Sequence, residues 1–173
     1  MKFIQTFENP DMPVMHLVPD PGEHHISKWY FYHLSFRKDC VLAGELFIPE
    51  GIEDIGDMAF NHLGVDFKIF HFPKSLTHIG ENMISGYSRV KIFYAGSSEA
   101  FLNLAKIREE QEYVSDGYDH YPYYSGNSGW VSKYYCFDGI ADTVEVYCEE
   151  DGVTLLYGTR HRTDGNPPKV KQE

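Results

Sequence analysis

Two blocks of the chain repeat one pattern of apolar and polar positions. Leu46-Phe47-Ile48-Pro49, Ile52, Ile55-Gly56 and Ala59-Phe60 form the first. Phe70-His71-Phe72-Pro73, Leu76, Ile79-Gly80 and Met83-Ile84 form the second. Pro49 to Pro73 and Gly56 to Gly80 both span 24 residues, so Leu46 coincides with Phe70, Ile48 with Phe72, Ile52 with Leu76 and Ile55 with Ile79. A shortened third copy starts at Lys91-Ile92-Phe93-Tyr94-Ala95-Gly96-Ser97, and a degenerate earlier copy is expected within Trp29 to Phe36. Self-similarity at this period signals units that stack, each unable to bury its apolar face alone.

Each unit has a local logic. Leu46-Phe47-Ile48 alternates as a short strand, with its first and third residues inward and its middle residue outward. Proline ends the strand because it has no N–H for the ladder. Ile52 and Ile55 turn the chain back over the core, and the glycine after Ile55 is expected to permit a bend that a Cβ would oppose. Asp57-Met58-Ala59-Phe60 is expected to supply a short helical side, with Asp57 as its cap.

Ile48-Pro49, Ile52, Ile55-Gly56 and Ala59-Phe60, then Phe72-Pro73, Ser75-Leu76 and Ile79-Gly80, resemble the BspA-like family of leucine-rich repeats. Phe93-Tyr94-Ala95-Gly96-Ser97-Ser98-Glu99 is similar to the segment that often closes such arrays, and Val144 to Gly152 is similar to a strand and turn found after the repeats in some members. The match covers residues 46–101, with a weaker one near 143–157. Met83-Ile84 departs from the family's Ala-Phe. The resemblance implies an α/β fold: a short leucine-rich-repeat solenoid with an N-terminal cap, a C-terminal helix and a small β cap. It also implies binding of another macromolecule rather than catalysis.

Four regions follow. Residues 1–40 are an N-terminal cap, with room for a degenerate repeat. Residues 41–112 hold the repeats and a closing helix from Ser98 to Gln111, with Ser98 as N-cap and Phe101, Leu102, Leu104 and Ile107 as its apolar side. Residues 113–158 hold a Tyr-rich loop and a β cap with strands at Trp130–Phe137 and Thr143–Tyr157, the latter turning at Asp151-Gly152. Residues 159–173 read as a disordered tail.

Composition narrows the function. Fifteen basic against 26 acidic residues leave a net charge of −11, which disfavours direct nucleic-acid or anionic-membrane binding. Aromatic residues make up 16% of the chain, which suits a rigid core or a contact face. Three cysteines (Cys40, Cys136 and Cys148) form no CxxC pair, so they read as reduced thiols and not as a zinc site or disulfide framework. The first 14 residues lack a long apolar stretch, and no run of about 18 apolar residues occurs, so neither a signal peptide nor a membrane span is expected. The expected compartment is the cytoplasm.

Candidate chemistry is sparse. His24-His25 with Asp20 and Glu23, in a segment that contains Pro19 and Pro21, reads as a polar loop rather than a metal site, and His161 between two arginines as a solvated patch. Cys148 aligns with Val144 and Val146 as core, and neither a P-loop nor GxGxxG is present, so no catalytic group, cofactor or metal is assigned. Two surfaces stand out. Phe47, His71 and Phe93 should form one outward column across the strands, which either meets a partner or lies under a flank. Tyr118, Tyr121, Tyr123 and Tyr124 form a second candidate, with the same pair of readings.

The expected function is therefore a non-catalytic protein-binding module. The competing expectation is an acidic inhibitor of a nucleic-acid enzyme or host defence protein, imitating a phosphate backbone; small acidic repeat proteins of this kind resemble ones encoded by bacteria and their phages. Open strand edges also leave a homo-oligomer in view.

Overall fold

In a computed structural model, residues 1–34, 40–61, 65–80, 83–84, 89–104, 143–158 and 169–172 are described. Their alternating apolar stretches become strands: β1 (Lys2–Thr6), β2 (Val14–Val18), β3 (His25–Ile26), β4 (Ala43–Phe47), β5 (Asp54–Ile55), β6 (Asp66–Phe72), β7 (His78–Ile79), β8 (Val90–Tyr94), β9 (Thr143–Cys148), β10 (Val153–Gly158) and β11 (Lys169–Val170). Two helices accompany them, α1 (Tyr30–Leu34) and α2 (Ser98–Leu104). One sheet has eight strands in the order β1-β2-β4-β6-β8-β9-β10-β11, and a second has three in the order β3-β5-β7. The strands from β2 through β9 pair in parallel, whereas β1, β10 and β11 pair antiparallel.

The 24-residue spacing is realised as strand register. Leu46 lies beside Phe70 and Phe47 beside His71, while Ile55 lies beside Ile79 in the smaller sheet. The inward residues of β2, β4, β6, β8 and β9 (Met15, Leu46, Phe70, Ile92 and Val146) are completely buried. They belong to one apolar cluster that also takes in Ile26, Ile55 and Ile79 of the smaller sheet. Aromatic rings fill much of it: Phe60 packs 5.1 Å from Phe31 and 5.2 Å from Phe70, centroid to centroid.

The expected fold class is corrected. The described residues do not form an α/β leucine-rich-repeat solenoid closed by a helix. Among the described residues the fold is β-rich, a mixed eight-stranded sheet with a second small sheet and two short helices, of five and seven residues. Asp57–Phe60, expected as a helical side, is a run of turns. Met58 sits at φ 54°, outside the right-handed helical region. Backbone donors there reach sideways as well as back, with the Phe60 N–H donating to the Met83 carbonyl of the next unit at 3.0 Å. A lateral bond of this kind replaces the i→i−4 bond that a helix needs.

Two further expectations shift. The earlier copy is not confined to Trp29–Phe36: it begins at β2 and runs through β3 into the start of α1. Met15 pairs with Leu46 and Ile26 with Ile55, and the Phe31 N–H donates to the Ala59 carbonyl at 3.0 Å. Trp29 repeats the left-handed backbone of Met58, at φ 59°. The cap of α2 is Ser97, whose Oγ accepts from the Ala100 N–H at 3.2 Å, while Ser98 bonds to Asp151. Residues 105–111 of the expected helix lie outside the described residues. In the expected disordered tail, Lys169–Val170 pairs with β10.

The repeated glycine also has a different reason from the one expected. Neither Gly56 nor Gly80 has a positive φ. A Cβ on Gly80 would lie 2.3 Å from the Asp57 nitrogen of the preceding unit, and one on Gly56 would lie 2.6 Å from the Lys28 nitrogen. Close stacking of backbones, not a bend, requires the missing side chain. The equivalent position in the first unit is Ser27, next to Ile26, and it is exposed.

Candidate functional site: a row of stacked rings

Each residue that follows an inward one in the main sheet points to the other face. The register therefore lines up His16, Phe47, His71, Phe93 and Tyr147, one from each of five successive strands. Strands lie roughly 4.8 Å apart, a spacing that planar rings can fill by stacking. His16 and Phe47 stack with centroids 4.6 Å apart, Phe47 and His71 at 3.7 Å, and His71 and Phe93 at 5.1 Å. Their planes diverge by 19°, 5° and 9°. Tyr147 closes the row edge-on to Phe93, at 6.0 Å and 74°.

The row brings together Phe47, His71 and Phe93 as the sequence predicts, and adds His16 and Tyr147. His16 is exposed, and the other four are half-buried. Because Phe47, His71 and Phe93 each have a ring on both sides, their faces are used up internally. What they offer outward is ring edges, the positive side of the aromatic quadrupole. Such edges suit aromatic faces and carbonyl oxygens better than they suit an intercalating base.

A second outward row runs beside the first, with Val14, Glu45, Ile69, Lys91 and Glu145 in register. It carries charges of both signs, Glu45, Lys91 and Glu145, and is tied to the rings. His71 Nε2 lies 3.3 Å from Glu45 Oε2, and Lys91 Nζ sits 4.8 Å from the Phe93 ring centre. Lys171 Nζ reaches Glu145 at 3.4 Å. Burial pushes the His71 imidazolium below the ordinary histidine range, and the Glu45 carboxylate only partly offsets this. His71 is therefore neutral near pH 7. A shallow depression of about 260 Å³, lined by Lys68, Arg89, Val90, Lys91 and Glu145, adjoins this row.

The remaining candidates fall elsewhere. Tyr118, Tyr121, Tyr123 and Tyr124, with Cys136 and His161, lie outside the described residues. His24 Nδ1 is 2.9 Å from the Gly51 carbonyl, in keeping with a loop role. Cys148 faces the core beside Tyr94, and burial pushes its thiol up to about 12, so it is a protonated packing residue there. Among the described residues, no group of three or more His, Cys, Asp or Glu side chains could hold a metal ion, and no helix is long and apolar enough to cross a membrane.

Reasoning from sequence missed His16 and Tyr147 for different reasons. Val14–Val18 alternates and could have been read as a strand, but its unit breaks the 24-residue period. Tyr147 lies in a strand that the alternation of Val144, Val146 and Cys148 predicts, yet nothing local says that this strand joins β8. No family model, curated protein or solved structure matches the chain.

Proposed function

We propose that this chain is a non-catalytic protein-binding module whose contact surface is the row of stacked rings. The observation that carries the reading is a continuous, half-exposed line of five aromatic or imidazole rings on one face of a β-sheet. Such rings supply large, rigid contact area at little conformational cost. The partner is a protein segment that brings aromatic or aliphatic side chains and backbone carbonyls to the ring edges.

Two features favour this over an acidic phosphate mimic. The row itself carries no carboxylate, and the carboxylates beside it, Glu45 and Glu145, are interleaved with Lys91 and Lys171. The three cysteines without a CxxC pair support a reducing compartment, and we assign the protein to the cytoplasm.

The test is affinity capture from the native host with wild type and a Phe47→Ala/Phe93→Ala double variant. A partner held by wild type and lost by a still-folded double variant supports the proposal. Retention of every captured partner by the double variant overturns it.

A further inference from the structure

The molecule as a whole and the surface beside its ring row differ in charge. The chain carries a net charge of −11. Yet the depression of about 260 Å³ next to the row is lined by three cations, Lys68, Arg89 and Lys91, and one carboxylate, Glu145. Two of these charges have their counter-ions at hand: Lys68 pairs with Asp66, and Glu145 with Lys171. Lys91 differs. Among the described residues no carboxylate pairs with it, although Glu145 stands beside it on β9. Its Nζ sits instead 4.8 Å from the centre of the Phe93 ring. That contact holds the ammonium against the ring row without neutralising it.

Lys91 and Phe93 lie two residues apart on β8 and point to the same face. Their Cα atoms are therefore roughly 6.6 Å apart, the spacing that any extended peptide gives its residues i and i+2. A partner segment lying along β8 can engage both at once.

We infer, resting on the ring-row reading above, that the partner segment is acidic beside its apolar contact. It is extended and sets an aromatic or aliphatic side chain on the ring edges at Phe93. Two residues away it sets an Asp or Glu carboxylate in the depression, against Lys91 and with Lys68 and Arg89 around it. The ring edges suit this neighbour, since the positive side of an aromatic quadrupole attracts a carboxylate. A single carboxylate fits better than a nucleic-acid backbone. It meets only the local cations, whereas a long polyanion would extend over the surface of a strongly negative chain.

The experiment selects peptides that bind the full chain from a random library displayed on phage. Selected peptides are synthesised, and their affinities are measured by fluorescence anisotropy for wild type, Phe47→Ala/Phe93→Ala, Lys91→Gln and Lys91→Glu. Peptides lost by the ring variant are expected to carry Asp or Glu two residues from an aromatic or aliphatic side chain. For these, Lys91→Gln should weaken binding about fivefold and Lys91→Glu at least about tenfold, with unchanged melting curves. Both losses should shrink as salt is raised. A peptide with Lys in place of its acidic residue should bind Lys91→Glu better than wild type. Ring-dependent peptides that lack the acidic residue, or that bind Lys91→Glu as well as wild type, overturn the inference and leave the ring-row reading standing. So does a thymidine oligonucleotide that displaces the peptides and itself depends on Lys91. A library that yields no peptide dependent on Phe47 and Phe93 counts against the ring-row reading itself and overturns both.

Discussion

Two columns of side chains run side by side through the main sheet, one residue out of step. Met15, Leu46, Phe70, Ile92 and Val146 point inward and are fully buried. His16, Phe47, His71, Phe93 and Tyr147 point outward and keep part of their surface in water. The same strands and the same register build both. The inner column varies freely among aliphatic, thioether and aromatic side chains, because a core asks for volume and apolarity. The outer column is all rings, which burial does not require. The comparison teaches that burial explains the composition of one column and not of the other, which is the column proposed for recognition.

The sharpest way to break that division is to truncate matched residues. Phe70→Ala should cost about 3–5 kcal/mol, read as a lower urea midpoint. Phe47→Ala, one column over, should cost about 1 kcal/mol, mostly lost ring stacking. Equal losses would mean that the outer column belongs to the core. The backbone stacking beneath both columns is tested next. Gly80→Ala forces a Cβ against the Asp57 nitrogen and should cost about 1–3 kcal/mol. Ser27→Ala, at the equivalent exposed position of the first unit, should stay within about 0.5 kcal/mol of wild type.

A smaller effect concerns protons. Burial holds His71 below its ordinary value of 6.5 in the folded protein. As pH falls below 6.5, the unfolded chain binds a proton there before the folded one does. Stability should therefore decline across the window from 6.5 down to the lowered folded value, and His71→Phe should flatten that part of a urea-midpoint profile. An unchanged slope would place the imidazole in water. The smallest effect is chemical. Cys148, buried with its thiol near 12, should resist alkylation in the native state, whereas half-buried Cys40 should react faster, as peptide mapping would show. Equal labelling rates would mean that the core beside the inner column is open.

Much of the ring row was legible before any fold was known. The coincidence of Leu46 with Phe70, followed by Phe47 with His71, sets in and out for each strand, because side chains alternate along a strand whatever its neighbours are. His16 was hidden because Met15 lies farther ahead of Ile26 than Leu46 lies ahead of Ile55, and a longer turn erases a period without disturbing the stack. The helical reading of Asp57–Phe60 failed because several of its backbone partners lie in the units on either side, and local preference cannot foresee that.

The amino-acid sequence by itself determined which residues face the core and which face outward, and that equivalent residues of the two matched units recur 24 positions apart. Alternation and period are local properties, carried by any strand that forms. Only the tertiary structure decided that β2 precedes β4 in the sheet and that β9 follows β8. It also decided that the repeated glycines serve stacked backbones. Those outcomes depend on hydrogen bonds between segments far apart in the chain, and their geometry exists only once the units lie against one another.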